Sequence, residues 1–427
     1  MQYEKHTLKN GLKIIIVPMK NMESVIFQVL VKTGAKNEDT KVNGISHFLE
    51  HLVFKGTKNR PNPGAIIKEL DRIGAEINAF TGKEITGFWV KSVSRNFDIG
   101  LDVVSDMVLN PIFNAKEIEK ERGVILQEIS MYEDQPSDKA ARDVEVMIYE
   151  GNPHGMTTLG TNESVKNILR TDIIKYRKER YLPNNIVVVV AGNIDGKTVF
   201  EKIEKLFSKL KTGNLKRILP PDIRQKEVKI SLKNKKCDQS HIVVGVRAYS
   251  INDERKYAID ILSVIFGGNM SSRLFKELRE KRGLAYYLGA SGVQYEDSGY
   301  LNIRAGVPKE KLYLVFQIIS KLMHDFKIRE LTKNELHSAK EFLRGRRALS
   351  FEHTEEVADF FGEQELFCGK VFTPEEIMEK IEKVTASDIM KVANDIFRPE
   401  NINIAGIIPE AGKSIDSEKI RKIFSKI

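Results

Sequence analysis

Two series of apolar runs along the chain predict two similar sets of strands and helices. In the first series, strand-like runs at residues 12–18 and 24–32 precede predicted strands near residue 78 and at 87–92. This series ends at residues 185–192, where continuous apolar residues predict a strand that is buried on both faces. Helical patterns fill the intervals, so the first half is typical of an α/β domain.

The second series repeats this order after a break. Strands are predicted at residues 228–232, 241–247, 298–307 and 401–408, and helices at 256–266 and from 311 onward. Residues 211–227 contain Gly213, Pro220 and Pro221 and are typical of a linker. We therefore predict an N-terminal domain over residues 1–210 and a C-terminal domain of similar architecture over residues 228–427.

Composition limits the partners that we expect. The chain has 427 residues, of which 41% are hydrophobic and 30% charged, as in soluble globular proteins. The net charge of +9 is spread along the chain, and aromatic–basic repeats are missing, so we predict a solvated surface and no nucleic-acid partner.

Cellular location is predicted only as a default. The first twelve residues are polar and the apolar run that follows is too short for a signal core or a membrane span. The two cysteines, Cys237 and Cys368, have neither metal-site spacing nor the pattern of a disulfide framework. We therefore predict a cytoplasmic protein without a membrane partner.

The strongest chemical signal is the sequence HFLEH at residues 47–51. If this stretch is helical, His47 and His51 lie on one face and their imidazoles converge on one point, as a tetrahedral zinc ion requires. Glu50 lies beside that point, where it can accept a proton without being a ligand. This H-x-x-E-H order is the inverzincin signature. The alternative interpretation is a surface helix with two solvated histidines.

A third zinc ligand is predicted in the acidic stretch at residues 114–134, where Asn114 is a candidate helix cap. Glu121 and Glu128 are seven residues apart and project from the same side of a helix. One carboxylate could bind the metal while the other supports it from behind. A solvated acidic stripe is the alternative.

These segments resemble the pitrilysin/insulinase family of zinc metallopeptidases, in the branch that includes the mitochondrial processing peptidase. The resemblance covers almost the whole chain and is strongest in GISHFLEHLVFKGT at residues 44–57 and ERGVILQEI at 121–129. In that family a liganding glutamate follows the motif after about 76 residues, and 76 residues separate His51 from Glu128 here. The resemblance implies zinc ligands His47, His51 and Glu128, with one ion per chain, and Glu121 as the supporting acid.

Two further site elements follow from the resemblance. The segment LREKRGLAYYL at residues 278–288 is similar to one whose arginine and tyrosine reach the active site, which implies that Arg279 and Tyr286 stabilise the oxyanion. An ordinary helix followed by a strand with a core tyrosine is the alternative, and Tyr287 is assigned to the opposite face. Residues 267–268, both glycine, resemble a loop that helps admit substrate, although a plain turn would look the same.

The segment at residues 78–81 resembles the family's edge strand beside the metal. Asn78, Ala79 and Phe80 are therefore candidate substrate-binding residues, because an extended peptide can pair with a strand edge through its main chain. A core position for Phe80 is the alternative.

The resemblance also implies an assembly. Aligning Glu117 with Glu335 sets Arg346 opposite Glu128, and the second half lacks an H-x-x-E-H motif, so only one domain is expected to bind metal. We predict an α+β fold of two homologous α/β domains, with mixed, mostly antiparallel sheets covered by helices. Family members of this length form half of a clam-shaped chamber, which implies a homodimeric endopeptidase for short or unfolded peptides or for precursors.

The rival hypothesis is a non-catalytic structural or partner subunit of a related complex. A metallohydrolase acting on something other than peptides is a further alternative.

Overall fold

Two β-sheets with helices packed on them organise the chain, and the computed structural model describes residues 1–216, 218–412 and 414–427. The strands are β1 (Glu4–Thr7), β2 (Lys13–Pro18), β3 (Ser24–Val31), β4 (Glu76–Thr81), β5 (Thr86–Val93), β6 (Ile186–Gly192), β7 (Lys229–Lys235), β8 (Ser240–Ala248), β9 (Tyr287–Gln294), β10 (Gly299–Val307) and β11 (Ile402–Pro409). The helices are α1 (Ile45–Leu52), α2 (Ala65–Asp71), α3 (Phe97–Leu109), α4 (Ala115–Glu133), α5 (Pro136–Ile148), α6 (Asn162–Asn167), α7 (Arg170–Arg180), α8 (Gly196–Phe207), α9 (Lys256–Ser263), α10 (Arg273–Phe275), α11 (Leu312–Ile328), α12 (Lys333–Ser350), α13 (Thr354–Glu363), α14 (Pro374–Lys383), α15 (Ala386–Ile396) and α16 (Ser417–Phe424). Turns of π-helix continue α9, α10 and α13 at Val264–Gly268, Lys276–Glu280 and Gln364–Cys368.

The first sheet has the strand order β1-β2-β6-β3-β5-β4 within the described residues. Strands β2 and β6 pair in parallel, and the other neighbouring strands of this sheet pair antiparallel. Strand β6 is buried along its whole length, as its continuous apolar sequence predicts. Strand β4, beside the candidate metal site, is the outermost strand at one end of this sheet.

The second sheet repeats this arrangement, with the order β7-β11-β8-β10-β9 in the described part of the chain. Strands β7 and β11 pair in parallel, at the position that β2 and β6 occupy in the first sheet. Five successive strands of each half therefore occupy equivalent places. The predicted fold of two α/β domains with mixed, mostly antiparallel sheets is confirmed.

Each of the two compact units is built from three separate segments of the chain. Unit 1 comprises residues 1–129, 156–219 and 347–375, and unit 2 comprises residues 130–155, 220–346 and 376–427. A late helix, α13, thus packs on the first sheet, and an early helix, α5, packs on the second. The domain boundaries predicted from the sequence describe the two homologous halves and stay a prediction; the compact units do not follow a single cut at the linker.

Helix α13 completes the core of unit 1. Its residues Val357, Ala358 and Phe361 are fully buried against Leu30 and Val189 of the first sheet. Burial of a phenylalanine side chain stabilises a fold by about 1.5–3 kcal/mol. In the second unit, α5 covers β8 and β11 in the same way. None of the helices in the described ranges is both long and apolar enough to cross a bilayer.

Glu363, the last residue of α13, is expected to make the stability of unit 1 depend on pH. Burial, and then repulsion from Asp359 and Glu356, raises the pKa of Glu363 from 4.5 to about 7. Between these two values the folded chain holds a proton that the unfolded chain releases, so stability falls as pH rises through this window. We expect Glu363→Gln to raise the melting temperature at pH 8 by about 2–6 °C and to leave it nearly unchanged at pH 4.5. An equal gain at both pH values would instead indicate a change in packing.

Candidate active site

Helix α1 presents His47 and His51 on one face. Its other side is apolar, and Phe48, Leu49 and Leu52 are at most 1% exposed. The two imidazole rings lie with their centroids 4.6 Å apart. Burial of the apolar face therefore fixes the rotation of this short helix about its axis, and with it the direction in which both histidines point.

Asn43 is of a residue type that often caps helices, but it does not cap α1. Gly44 precedes the first helical residue and has φ +96°, in the left-handed region that glycine tolerates. A Cβ at Gly44 would lie 2.7 Å from the carbonyl oxygen of Leu159, so the close approach of that loop also requires glycine. The side chain of Asn43 donates instead to Glu38, at 2.7 Å.

Helix α4 supplies the third candidate ligand. It is capped by Asn114, whose Oδ1 accepts the backbone N–H of Lys116 at 2.8 Å. Oε2 of Glu128 lies 3.6 Å from Nε2 of His47 and 3.7 Å from Nε2 of His51. Ligand atoms about 2.1 Å from a tetrahedral zinc ion are separated by about 3.4 Å. The spacing of these three atoms and their chemistry therefore fit a His2Glu zinc site.

The protonation state of His47 also suits metal binding. Burial, with a further contribution from neighbouring His51, lowers the pKa of His47 to about 3, so its imidazole is neutral at physiological pH. A neutral imidazole offers the lone pair that a metal requires. Burial raises the pKa of Glu128, and the nearby His51 opposes that shift.

Glu121 supports the site from behind His51. Its Oε2 lies 3.1 Å from Nδ1 of His51, and its Oε1 lies 2.8 Å from Nζ of Lys55. A carboxylate on Nδ1 fixes the tautomer that leaves Nε2 free to bind metal. The seven-residue spacing predicts that Glu121 lies on the same side of α4 as Glu128, but it predicts no role for Lys55. The sequence signal for Lys55 is its position four residues after His51, which favours a place on the same side of the chain as that histidine.

Glu50 is held by the end of β4. The hydroxyl of Thr81 donates to Oε2 of Glu50 at 2.5 Å. Burial raises the pKa of Glu50, and so does the neighbouring Glu128, while the Thr81 hydrogen bond and His51 lower it. The sequence predicts Thr81 only as the last residue of the edge strand, because no local pattern connects it to Glu50.

The candidate substrate-binding residues lie on β4, as the sequence predicted. Asn78 is exposed, and its Oδ1 accepts the N–H of Ala79 at 2.9 Å, so that N–H is not bonded to β5. Phe80 is partly buried against the core cluster of the first sheet, and a Cβ on Gly87 would collide with its ring. The contacts of Phe80 are those of a packing residue, while the edge of β4 presents Asn78 and Ala79.

Arg279 and Tyr286 belong to unit 2, whereas the three candidate ligands belong to unit 1. Nη1 of Arg279 donates to the carbonyl oxygens of Ala285 at 2.7 Å and Tyr286 at 2.5 Å. The side chain of Tyr286 is 77% exposed. Both residues line a cavity of about 710 Å³. Arg279 therefore holds the turn that presents the Tyr286 side chain.

Tyr287 begins strand β9 of the second sheet, and the turn that contains Gly267 and Gly268 packs against the same strand. The hydroxyl of Tyr287 lies 3.0 Å from Nδ1 of His241, and burial raises the pKa of Tyr287 to about 12. A Cβ at Gly267 would lie 2.9 Å from the Cβ of Ala290, so glycine allows the π-helical turn to approach β9. A role for Gly267 and Gly268 in admitting substrate stays a prediction.

Comparison with known proteins identifies the family. The sequence model described as "Insulinase (Peptidase family M16)" matches residues 13–162, and "Peptidase M16 inactive domain" matches residues 167–343. A Bacillus subtilis protein named "uncharacterized zinc protease YmxG" is 32% identical over 407 residues, covering 95% of this chain and 98% of its own length. The chain belongs to peptidase family M16. The three candidate ligands and Glu50 all lie in the part matched by the first model.

Other similar proteins are consistent with this assignment. An "uncharacterized zinc protease" of Rickettsia felis is 35% identical over 391 residues, covering 91% of this chain and 94% of its own length. The crystal structure of a protease from Helicobacter pylori superposes with a TM-score of 0.89 at 27% identity and covers 96% of this chain and 99% of its own. A crystal structure described as "peptidase M16 inactive domain from Pseudomonas fluorescens" has the same fold at 17% identity, with a TM-score of 0.89, and covers 97% of this chain and 100% of its own.

Proposed function

We propose that this M16 chain is a zinc-dependent endopeptidase with one zinc ion, held by His47, His51 and Glu128. The observation that carries the proposal is the convergence of three suitable ligand atoms, all within 4.8 Å of one another, beside a carboxylate that is not part of the set. A His2Glu ligand set leaves the fourth position open, as catalytic zinc sites require.

The roles of the chain's own residues follow from the geometry. Zinc, when bound, lowers the pKa of a coordinated water towards about 7 and polarises the scissile carbonyl. Glu50 accepts a proton from the attacking water and delivers it to the leaving amine; its raised pKa suits both transfers. Thr81 holds the Glu50 carboxylate in place, and Glu121 holds the His51 ring.

The substrate is proposed to be an extended peptide that adds to the edge of β4. Main-chain pairing gives affinity with little dependence on sequence, which suits short or unfolded peptides and precursor segments. The N–H of Ala79, now bonded to the side chain of Asn78, is a donor that a peptide carbonyl can take over. Such pairing would bring the scissile bond towards Glu50, because Thr81, whose hydroxyl donates to Glu50, lies on the same strand.

Arg279 and Tyr286 are proposed to stabilise the oxyanion across a homodimer, so that the pair on one subunit serves the zinc site of the other. Neither Glu50→Gln nor Tyr286→Phe chains should then be active alone. A mixture should regain part of the activity, because a mixed dimer contains one site with both residues intact. We expect up to about a quarter of wild-type activity after subunit exchange, measured by peptide cleavage, on the assumption of random pairing.

Exchange of subunits must be shown separately, for example by energy transfer between labelled chains. Confirmed exchange without recovered cleavage would argue against sites shared between subunits, while leaving the zinc chemistry of each chain untouched.

The rival function is a non-catalytic subunit, and the intact ligand set argues against it. The proposal is tested by zinc analysis of the purified wild-type chain together with cleavage of a quenched, unstructured peptide. We expect close to one zinc per chain, and cleavage that a chelator removes and added zinc restores. Zinc binding without any cleavage would favour the non-catalytic subunit.

A further inference from the structure

The first turn of α1 lacks a capping side chain of its own. The helix has eight residues, and Gly44 at its N-terminus offers no side chain to accept a hydrogen bond. Isolated helices of this length are marginal in water, and their first N–H groups have no partner inside the helix. Another part of the chain must therefore satisfy these donors and hold the turn that leads into His47.

Glu38 does so through a buried carboxylate. Its Oε2 accepts the N–H of Gly44 at 2.6 Å and Nδ2 of Asn43 at 2.7 Å, and its Oε1 accepts the N–H of Ser46 at 2.8 Å. The Glu38 side chain is 8% exposed. A negative charge at a helix N-terminus also interacts favourably with the helix dipole.

A second anchor comes from α7. The hydroxyl of Tyr176 lies 2.7 Å from Oγ of Ser46 and 2.8 Å from Oγ1 of Thr33. Ser46 is therefore held through its backbone by Glu38 and through its side chain by Tyr176. It directly precedes His47 in the chain, so a displaced first turn would move the His47 imidazole relative to Glu128.

We propose that Glu38 is a positioning residue for the metal site, assisted by Tyr176, and that it sets the zinc affinity by fixing the first turn of α1. This inference rests on the proposed function. An amide cannot replace the carboxylate, because Gln has one acceptor oxygen where three donors converge, and its NH2 group would face an N–H. A merely structural role would lower stability without changing the zinc affinity of the folded chain.

The experiment measures zinc affinity by competition with a chromophoric chelator, together with thermal stability of the metal-free chain. For Glu38→Gln we expect zinc binding about 10- to 100-fold weaker than in wild type, as for residues that orient metal ligands. Glu38→Asp, which keeps the charge, should recover part of this loss. The absorption bands of the cobalt-substituted chain should also shift in Glu38→Gln, because they report ligand geometry.

Asp195→Asn is the matched control. Asp195 caps α8, where its carboxylate accepts the N–H of Thr198 at 2.9 Å, and that helix carries no candidate ligand. This variant should lose stability without losing zinc affinity. If Glu38→Gln does not fold, Tyr176→Phe decides, since it removes one hydroxyl and should weaken zinc binding several-fold.

Wild-type zinc affinity in folded Glu38→Gln, or in Tyr176→Phe where that variant decides, would overturn the inference and leave the proposed function standing. A wild-type chain that binds no zinc would overturn both.

Discussion

Glu50→Gln is expected to lower the rate of peptide cleavage by about 10²- to 10⁴-fold while zinc content stays at the wild-type level. In the proposed mechanism Glu50 accepts and delivers the proton, and it is not among the three residues whose ligand atoms converge. Replacing its carboxylate by an amide removes the base and preserves the volume. The measurement is turnover of a quenched peptide alongside zinc per chain, for both proteins purified in parallel.

Thr81→Val is the matched control for this variant. It leaves the Glu50 carboxylate in place but removes the hydroxyl that donates to it at 2.5 Å. We expect a smaller loss of about tenfold, since one hydrogen bond to a charged group contributes about 1.5–3 kcal/mol and water can replace part of it. Full activity of the Glu50→Gln variant would exclude Glu50 as the general base.

Glu128→Gln is expected to abolish stoichiometric zinc binding and, with it, cleavage. In the wild-type chain, Oε2 of Glu128 lies 3.6 and 3.7 Å from the Nε2 atoms of His47 and His51. The substitution replaces this charged oxygen by a neutral amide, so the two histidines are the only strong ligands left in the proposed set. We expect zinc affinity to fall by more than about 100-fold, beyond the 10- to 100-fold typical of residues that contact a ligand rather than the metal.

Glu121→Gln tests the difference between the two glutamates of α4. Its carboxylate contacts Nδ1 of His51 and Nζ of Lys55, so its loss should weaken zinc binding within the 10- to 100-fold range and leave activity recoverable at high zinc. Chelator competition on both variants measures the two affinities. Equal losses would mean that the assignment of ligand and supporting acid is wrong.

The sequence contained most of the local information about this site. Four-residue spacing on a helix predicted that His47 and His51 share a face, and seven-residue spacing predicted the same for Glu121 and Glu128. Spacing alone could not say which glutamate approaches the histidines, because both project from one side of α4. The family resemblance chose Glu128, and the structure brings that carboxylate to both Nε2 atoms.

Contacts between distant segments were beyond sequence reasoning. Thr81 reaches Glu50 from a strand that follows it by thirty-one residues, and Tyr176 reaches Ser46 across 130. The exchange of α5 and α13 between the two units was also not predicted. Amphipathic periodicity shows that a helix buries one face, but it does not say which sheet receives that face.

The late position of α13 has a consequence for how the chain folds during synthesis. Strand β6 completes the first sheet at Gly192, but the helix that covers one face of that sheet ends only at Glu363. At 5–20 residues per second, a ribosome needs on the order of 10–30 s to translate the intervening stretch. During that interval Leu30, Val189 and their apolar neighbours lack the helix that covers them in the folded chain, so this part of the core can form only after α13 has been synthesised.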